Sequence, residues 1–309
     1  MTPPPAVKVA PSDAVRIRVP ATSANIGPGY DCLGLALGRY DEVIARRIEG
    51  PPRIEVIGCG AGTVPTTPEH LVYRSAVLGF EALGVAPPSL ELLCRNEIPH
   101  GGGQGSSAAA IVAGLAVARE LTADGRTLMP DSELLDIASR VEGHPDNAAP
   151  AVLGGFTLAW MDAAGHTTVV RRPVHPTIRV LMFSSLHGAS TEKARAMLPA
   201  SVPHAEAVAN TVSAALLVHA VSDDPSLLFV ATDDYLHQQY RAAAMPATAT
   251  LVADLREAGV AAVVSGAGPS VLALVTGDLD VAAFRRPGFE PVELAVDRTG
   301  LVAGPVDGN

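Results

Sequence analysis

Between Ile98 and Ala110 the chain reads I-P-H-G-G-G-Q-G-S-S-A-A-A, and this run dictates more about the fold than any other. Gly101, Gly102, Gly103 and Gly105 exclude a regular element there and admit left-handed turns that other residues resist. Upstream, Ser89 to Arg95 reads as a strand; downstream, Ser106 to Leu121 has helical spacing, small residues first and Ile111, Val112 and Leu115 further along. A glycine loop therefore joins a strand to a helix N-terminus. Unpaired N–H groups at such an end carry about half an elementary positive charge and make an anion site. Ser106 and Ser107 add hydroxyls placed to meet phosphate or a phosphate-bound Mg²⁺.

Other readings of the loop compete. H-G-G-G at His100 to Gly103 looks like the oxyanion segment of lipase-type hydrolases, but such a segment needs a serine in G-x-S-x-G, and the chain has none. A Walker loop requires lysine after Gly105, and a dinucleotide fingerprint requires a third glycine where Ser106 stands. A phosphate cradle and a merely tight-packing turn remain.

Bulk properties narrow the partners. With 22 basic and 32 acidic residues among 309, a formal charge of −10 and no basic run, a nucleic-acid or anionic-membrane surface is not expected. Any anionic ligand must be held locally. Three cysteines, Cys32, Cys59 and Cys94, without C-x-x-C spacing, argue against a disulfide framework or structural zinc and for a cytoplasmic protein. The Pro-rich stretch Met1 to Pro11 has no apolar segment of signal-peptide length, and no membrane-spanning run is expected.

Alternation of Val15, Ile17 and Val19 with Arg16 and Arg18 predicts a half-buried strand, followed by a Gly-rich loop and strands at Glu42 to Ile48 and Arg53 to Ile57. Thr67-Pro68-Glu69 predicts a helix start with Thr67 as N-cap, and Leu71, Val72, Ser75, Leu78, Ala82 and Leu83 mark its inner face. Gly79 on that face permits close packing. A helix at Asp131 to Val141 leads into E-G-H-P-D-N-A-A-P and a Gly-Gly-Phe strand start, and polar Gly165 to Pro176 is the expected domain boundary. Strands at Thr177 to Ser184, Val260 to Val264, Ser270 to Val275 and Val292 to Val296 follow, with helices at Thr191 to Met197, Ala205 to Val221, Ala247 to Ala258 and Val281 to Arg285. This is an α+β layout, with domains expected at 12–170 and 171–305.

Four stretches, in order and spacing, resemble the motifs of the GHMP small-molecule kinases: V-P-A-T-S-A-N-I-G-P-G-Y-D-C-L-G-L-A-L from Val19, the glycine-Ser-Ser loop, E-G-H-P-D-N-A-A-P-A-V-L-G-G-F from Glu142, and V-S-G-A-G-P-S-V-L from Val264. The first and third look like the branch that phosphorylates L-homoserine, and S-T-E-K-A-R from Ser190 and L-H-Q-Q-Y-R from Leu236 extend the resemblance over nearly the whole chain. It implies a nucleotide-binding α+β domain, a ferredoxin-like second domain, and transfer of the ATP γ-phosphoryl group to L-homoserine in threonine synthesis. Carried over, Pro99, His100, Gly101, Gly102, Gly103, Gln104, Gly105, Ser106 and Ser107 form the phosphate loop, with Gly266 and Gly268 in a turn beside it. Ser107 and Glu142 would hold Mg²⁺. Asn25, Asp31, His144, Asn147, Arg195 and Arg241 would surround the amino acid, with Asn147, Arg241 and Glu142 nearest the chemistry; a homodimer is allowed for.

These roles suit the residue types. A zwitterion needs an anion for its ammonium and a cation for its carboxylate, which Asp31, Arg195 and Arg241 supply. Phosphoryl transfer rests on positioning and charge stabilisation, so Asn147 in place of a carboxylate is no obstacle. The chain departs from the family's usual loop at Gly102, where a basic residue is common, at Gln104, where an aliphatic one is, and at His70, where many members have an asparagine beside the adenine.

Overall fold

The computed structural model describes residues 14–188 and 191–306; Met1–Pro11 and Ser190 lie outside the described residues. The strands are β1 (Ala14–Ala24), β2 (Leu33–Arg47), β3 (Arg53–Gly58), β4 (Leu90–Asn96), β5 (Phe156–Met161), β6 (Thr167–Arg172), β7 (Arg179–Ser185), β8 (Ala261–Val264), β9 (Val271–Val275), β10 (Phe289–Leu294) and β11 (Val302–Pro305). The helices are α1 (Leu71–Ala82), α2 (Ser106–Leu121), α3 (Gly125–Leu128), α4 (Asp131–Glu142), α5 (Ala148–Leu153), α6 (Thr191–Ala196), α7 (His204–Ser222), α8 (Leu228–Ala231), α9 (Gln238–Arg241) and α10 (Pro246–Glu257).

Seven strands form the first sheet, in the order β11-β1-β2-β4-β3, with β5 on the first part of β2 and β6 on β5. Strand β2 can serve two partners besides β1 because it is 15 residues long: Leu33–Leu35 pairs with β5 and Asp41–Arg47 with β4. Its register with β1 shifts between Pro20 and Ala21, a bulge that bends the hairpin just before the residues that reach the site. Strands β3 and β4 are parallel and joined through α1, as a crossover connection requires.

Helix α2 is buried on nearly every side, from Ala108 and Ala109 to Val117 and Leu121. A helix apolar all round belongs in the centre of a layer, which explains its alanines: α1 presses against it so closely that a Cβ on Gly79 would come 2.7 Å from the Ala118 Cβ. That close packing agrees with the reading of Gly79 as an approach point.

The second sheet runs β10-β7-β9-β8, wholly antiparallel. Numbered within this half, the order is 4-1-3-2, the ferredoxin-like arrangement the resemblance implies. Leu181 and Phe183 of β7 face Leu251 and Leu255 of α10, while Val180 and Met182 point the other way into the main core with Leu217 and Val221 of α7. The main core thus extends from the first sheet onto one face of the second, whose other face packs with α10 in a separate, smaller cluster. By length and composition alone α7 could span a membrane, with mean hydropathy 1.3; here it packs against the main core through Leu217, Ala220 and Val221. The three cysteines are free thiols.

Several expectations need correction. The helix after Thr67 starts at Leu71 with His70 as N-cap, because the His70 N–H closes a turn onto the Thr67 carbonyl at 2.9 Å. Gly165 to Pro176 is no linker: β6 lies within it, paired with β5 along its length. Strand β6 runs to Arg172 and β11, near the end of the described residues, returns to pair with β1, so the first sheet draws on both parts of the chain. Val281–Phe284 is a single 3₁₀ turn, and the strand expected at Val292 to Val296 lies earlier, at Phe289–Leu294.

Candidate active site

Two glycine turns and the end of β1 meet at one cleft. Gly103 and Gly105 both adopt φ +71°, and a Cβ on either would collide with a neighbour, Ser265 O for Gly103 and Thr22 Oγ1 for Gly105. Only glycine lets the loop lie this close to both halves of the molecule. The Ser265 hydroxyl donates to the Gly103 carbonyl at 2.6 Å, and the Gly266 N–H donates to Ala24 O at 3.1 Å, so the two turns are laced together. No side chain caps α2 at Gly105, which leaves its first-turn N–H groups facing the cleft.

Gln104 is buried, and its polar group is fully occupied. Its Oε1 accepts from Arg39 Nη1 at 2.7 Å, and its Nε2 donates to Ser184 Oγ at 3.1 Å, on β7. An aliphatic side chain here could only pack; glutamine ties the loop to the second sheet. Gly102 needs no left-handed backbone, and a Cβ there would stand 3.2 Å from the Pro99 Cβ.

The cleft, with a cavity volume of about 110 Å³, is lined by Pro99 and the loop from Gly101 to Ala108, then Asn25, Tyr30, Asp31, Glu142, His144, Asp146, Asn147, Arg195, Arg241, Gly266 and Ala267. His100 lines instead a neighbouring pocket of about 310 Å³, which shares Gly101, Ser106 and Ser107 with the cleft. Gly268 faces away, its Cβ position 2.5 Å from the Met245 sulfur. The neighbouring pocket has apolar walls at Val43, Val64, Pro65, Leu71 and Val72, and His70 at its edge is 5% exposed with Nδ1 unpartnered. Burial lowers the His70 pKa, so the ring is neutral.

At the far end, Ser107 Oγ donates to Glu142 Oε1 at 2.5 Å, two hard oxygen ligands at the helix N-terminus. Arg195 grips Asp31 with both terminal nitrogens at 2.9 Å each, and the Tyr30 ring lies 5.6 Å from the Arg195 and the Arg241 guanidinium carbons. Arg241 is 2% exposed; its Nε donates to Ala194 O at 3.0 Å, and its Nη1 donates to His237 Nδ1 at 3.2 Å. His237 Nε2 donates to Gly27 O at 2.9 Å, which fixes the tautomer that leaves Nδ1 free to accept, and burial keeps the ring neutral.

His144 Nδ1 donates to Asp146 Oδ1 at 2.6 Å. Burial would lower the His144 pKa, but that bond and the charges of Asp146, Asp31 and Glu142 together raise it. Donor atoms of Asp31, His144 and Asp146 lie within 4.8 Å of one another, an anionic corner suited to a cation. Asn25 lines the cleft, yet its amide serves the fold: Nδ2 donates to Gly266 O at 2.9 Å and Oδ1 accepts the Asp31 N–H at 3.0 Å. It braces Asp31, in a turn where Asn25 and even Ile26 hold positive φ, +65° and +48°. A β-branched residue there costs roughly 1–3 kcal/mol, a strain tolerated because the surroundings impose it.

The cleft thus unites a backbone anion cradle, a paired hydroxyl and carboxylate, and the opposed charges of Asp31, Arg195 and Arg241. Residues 70–155 match the GHMP kinases N terminal domain, and residues 224–288 the GHMP kinases C terminal domain. A homoserine kinase of Streptomyces coelicolor is 47% identical over 295 residues, 95% of each chain. The chain belongs to the homoserine kinase family. Another member, from Clavibacter michiganensis, is 48% identical over 304 residues, 95% of each chain. Among solved structures, the homoserine kinase of Cytophaga hutchinsonii superposes with a TM-score of 0.80 at 28% identity, over 95% of this chain and 98% of that one. A mevalonate diphosphate decarboxylase of Staphylococcus aureus, at 15% identity and TM-score 0.62, shares the fold.

Sequence reasoning missed Thr22, Tyr30, Asp146 and His237. Each lies inside a quoted motif, and His237 precedes Arg241 by one helical turn, a spacing that could have paired them.

Proposed function

We propose that the protein is a cytoplasmic enzyme that transfers the γ-phosphoryl group of ATP, with Mg²⁺, to the side-chain hydroxyl of L-homoserine, giving O-phospho-L-homoserine for threonine synthesis. The observation that supports this reading is that the phosphate loop, Asn147, Asp31, Arg195 and Arg241 all line one cleft. The loop N–H groups and the uncapped start of α2 bind the phosphates. The neighbouring pocket takes the adenine between its apolar walls, with the neutral His70 Nδ1 available to the base. Ser107 and Glu142 fit Mg²⁺, being adjacent hard oxygens beside the cradle; the ion, when bound, neutralises charge on the phosphates.

At the acceptor end Arg195 and Arg241 hold the carboxylate, while Asp31 holds the ammonium and the Asp146-supported His144 lines the same end of the cleft. Asp31 and Arg195 bond each other, so holding the amino acid exchanges one internal ion pair for two to the substrate. Asn147 orients the hydroxyl toward the phosphates without accepting its proton. Coupled ADP release over a panel of homoserine, threonine, serine, mevalonate and shikimate tests the reading. Homoserine should stimulate most. Turnover of another alcohol alone refutes the acceptor, and stimulation by none favours a ligand-binding module.

A further inference from the structure

The Asn147 side chain does not cap α5, the helix it precedes. Thr22, near the end of β1 and fully buried, donates its hydroxyl to Asn147 Oδ1 at 2.8 Å across 125 positions of chain. The same residue donates its backbone N–H to the Gln104 carbonyl of the phosphate loop at 3.1 Å. Gly105, bare of a side chain, fits against both: a Cβ there would strike the Thr22 hydroxyl and lie 3.1 Å from Asn147 Oδ1. One residue therefore touches the cradle with its main chain and the acceptor-orienting amide with its side chain.

We infer that Thr22 is a positioning residue that sets the register and the orientation of the Asn147 amide against the phosphate loop. With Oδ1 occupied by the Thr22 hydroxyl, Asn147 turns its NH₂ toward the cleft. A donor there attracts the oxygens on which charge develops during transfer, whereas the carbonyl of a flipped amide would repel them. The terminal torsion of asparagine has no strong intrinsic preference, so an external bond must choose the face. This inference rests on the reaction proposed above.

The test compares wild type, Thr22→Val, Thr22→Ser, Asn147→Ala and the Thr22→Val/Asn147→Ala double variant in steady-state kinetics, with ATP and homoserine binding by calorimetry and thermal melts alongside. Thr22→Val keeps the shape without the donor, and kcat should fall about tenfold, part of what one misaligned donor costs, with both KM values within about twofold. Thr22→Ser should recover most of kcat. In the Asn147→Ala background, Thr22→Val should cost less than about twofold, since the group it positions is gone. Equal losses in the two backgrounds, no recovery by serine, or an effect on KM alone would overturn the inference. If Thr22→Val melts below the assay temperature, Thr22→Ala replaces it in the same cycle. Wild type without homoserine turnover would refute the proposed function, whereas normal wild-type turnover with an unaffected Thr22→Val would refute only the role of Thr22.

Discussion

Replacing Asp31 by Asn tests the amino-acid end of the cleft with little disturbance to the fold. Asp31 has φ +55°, a left-handed conformation that asparagine adopts more readily than most residues, and its N–H bond to Asn25 Oδ1 is made by the backbone. The expected magnitude has two opposed parts. A charge-assisted bond from the substrate ammonium to the carboxylate contributes roughly 1.5–3 kcal/mol. Against it stands the Asp31–Arg195 pair that wild type gives up on binding; with side chains 31% and 45% exposed it is screened by solvent and contributes at most about 1 kcal/mol. The variant has no such pair to break, so the net loss is about 1–2 kcal/mol, a rise of roughly 5- to 30-fold in homoserine KM. ATP KM should stay within about twofold, because Asp31 makes no contact with the phosphate loop. Steady-state kinetics and calorimetric homoserine titration measure both quantities. An unchanged homoserine KM would mean that Asp31 only tethers Arg195, and a parallel rise in ATP KM would mean that the whole cleft has shifted.

Glu142→Gln retains an oxygen for the Ser107 hydroxyl but loses the charge; kcat should drop about 100-fold or more with homoserine affinity by calorimetry unchanged, and excess Mg²⁺ should relieve part of the loss. Gly102→Arg meets no positive-φ requirement and only a mild approach to Pro99, so the folded variant should bind ATP several-fold more tightly in calorimetry; equal or weaker binding refutes the proposed loop geometry. Burial lifts the Asp41 carboxyl from 3.8 to about 6 despite the N–H groups of Glu97 and Ile98 that it accepts, each at 2.9 Å. Between those pH values the folded state keeps a proton that the unfolded chain has released, so stability declines as pH rises through the window and a penalty of roughly 3 kcal/mol stands above about pH 6. Asp41→Asn should therefore raise Tm at pH 8 and change it little near pH 4; an equal shift at both would rule out titration as the cause.

Elements with a strong local signal were legible in the chain itself. The β1 alternation at Val15, Ile17 and Val19, the span Ser106–Leu121, and the glycine loop between strand and helix all depend on neighbours in sequence. Less visible were β6 and β11, short strands whose register comes from β5 and β1, and the helix start at His70, where a backbone turn displaced the expected side-chain cap.

The site divides in the same way. Sequence by itself determined the chemical inventory: glycines for a phosphate cradle, Ser107 with Glu142, and the charges of Asp31, Arg195 and Arg241. Tertiary structure decided which groups are free to act. Asn25 is occupied by the turn it braces, His237 and not a carboxylate supports Arg241, Asp31 meets Arg195 across 164 positions, and Thr22 selects the face of Asn147. Periodicity and capping are set within a few residues, whereas a hydrogen-bond partner is set by which distant strands and loops the shared core brings within about 3 Å.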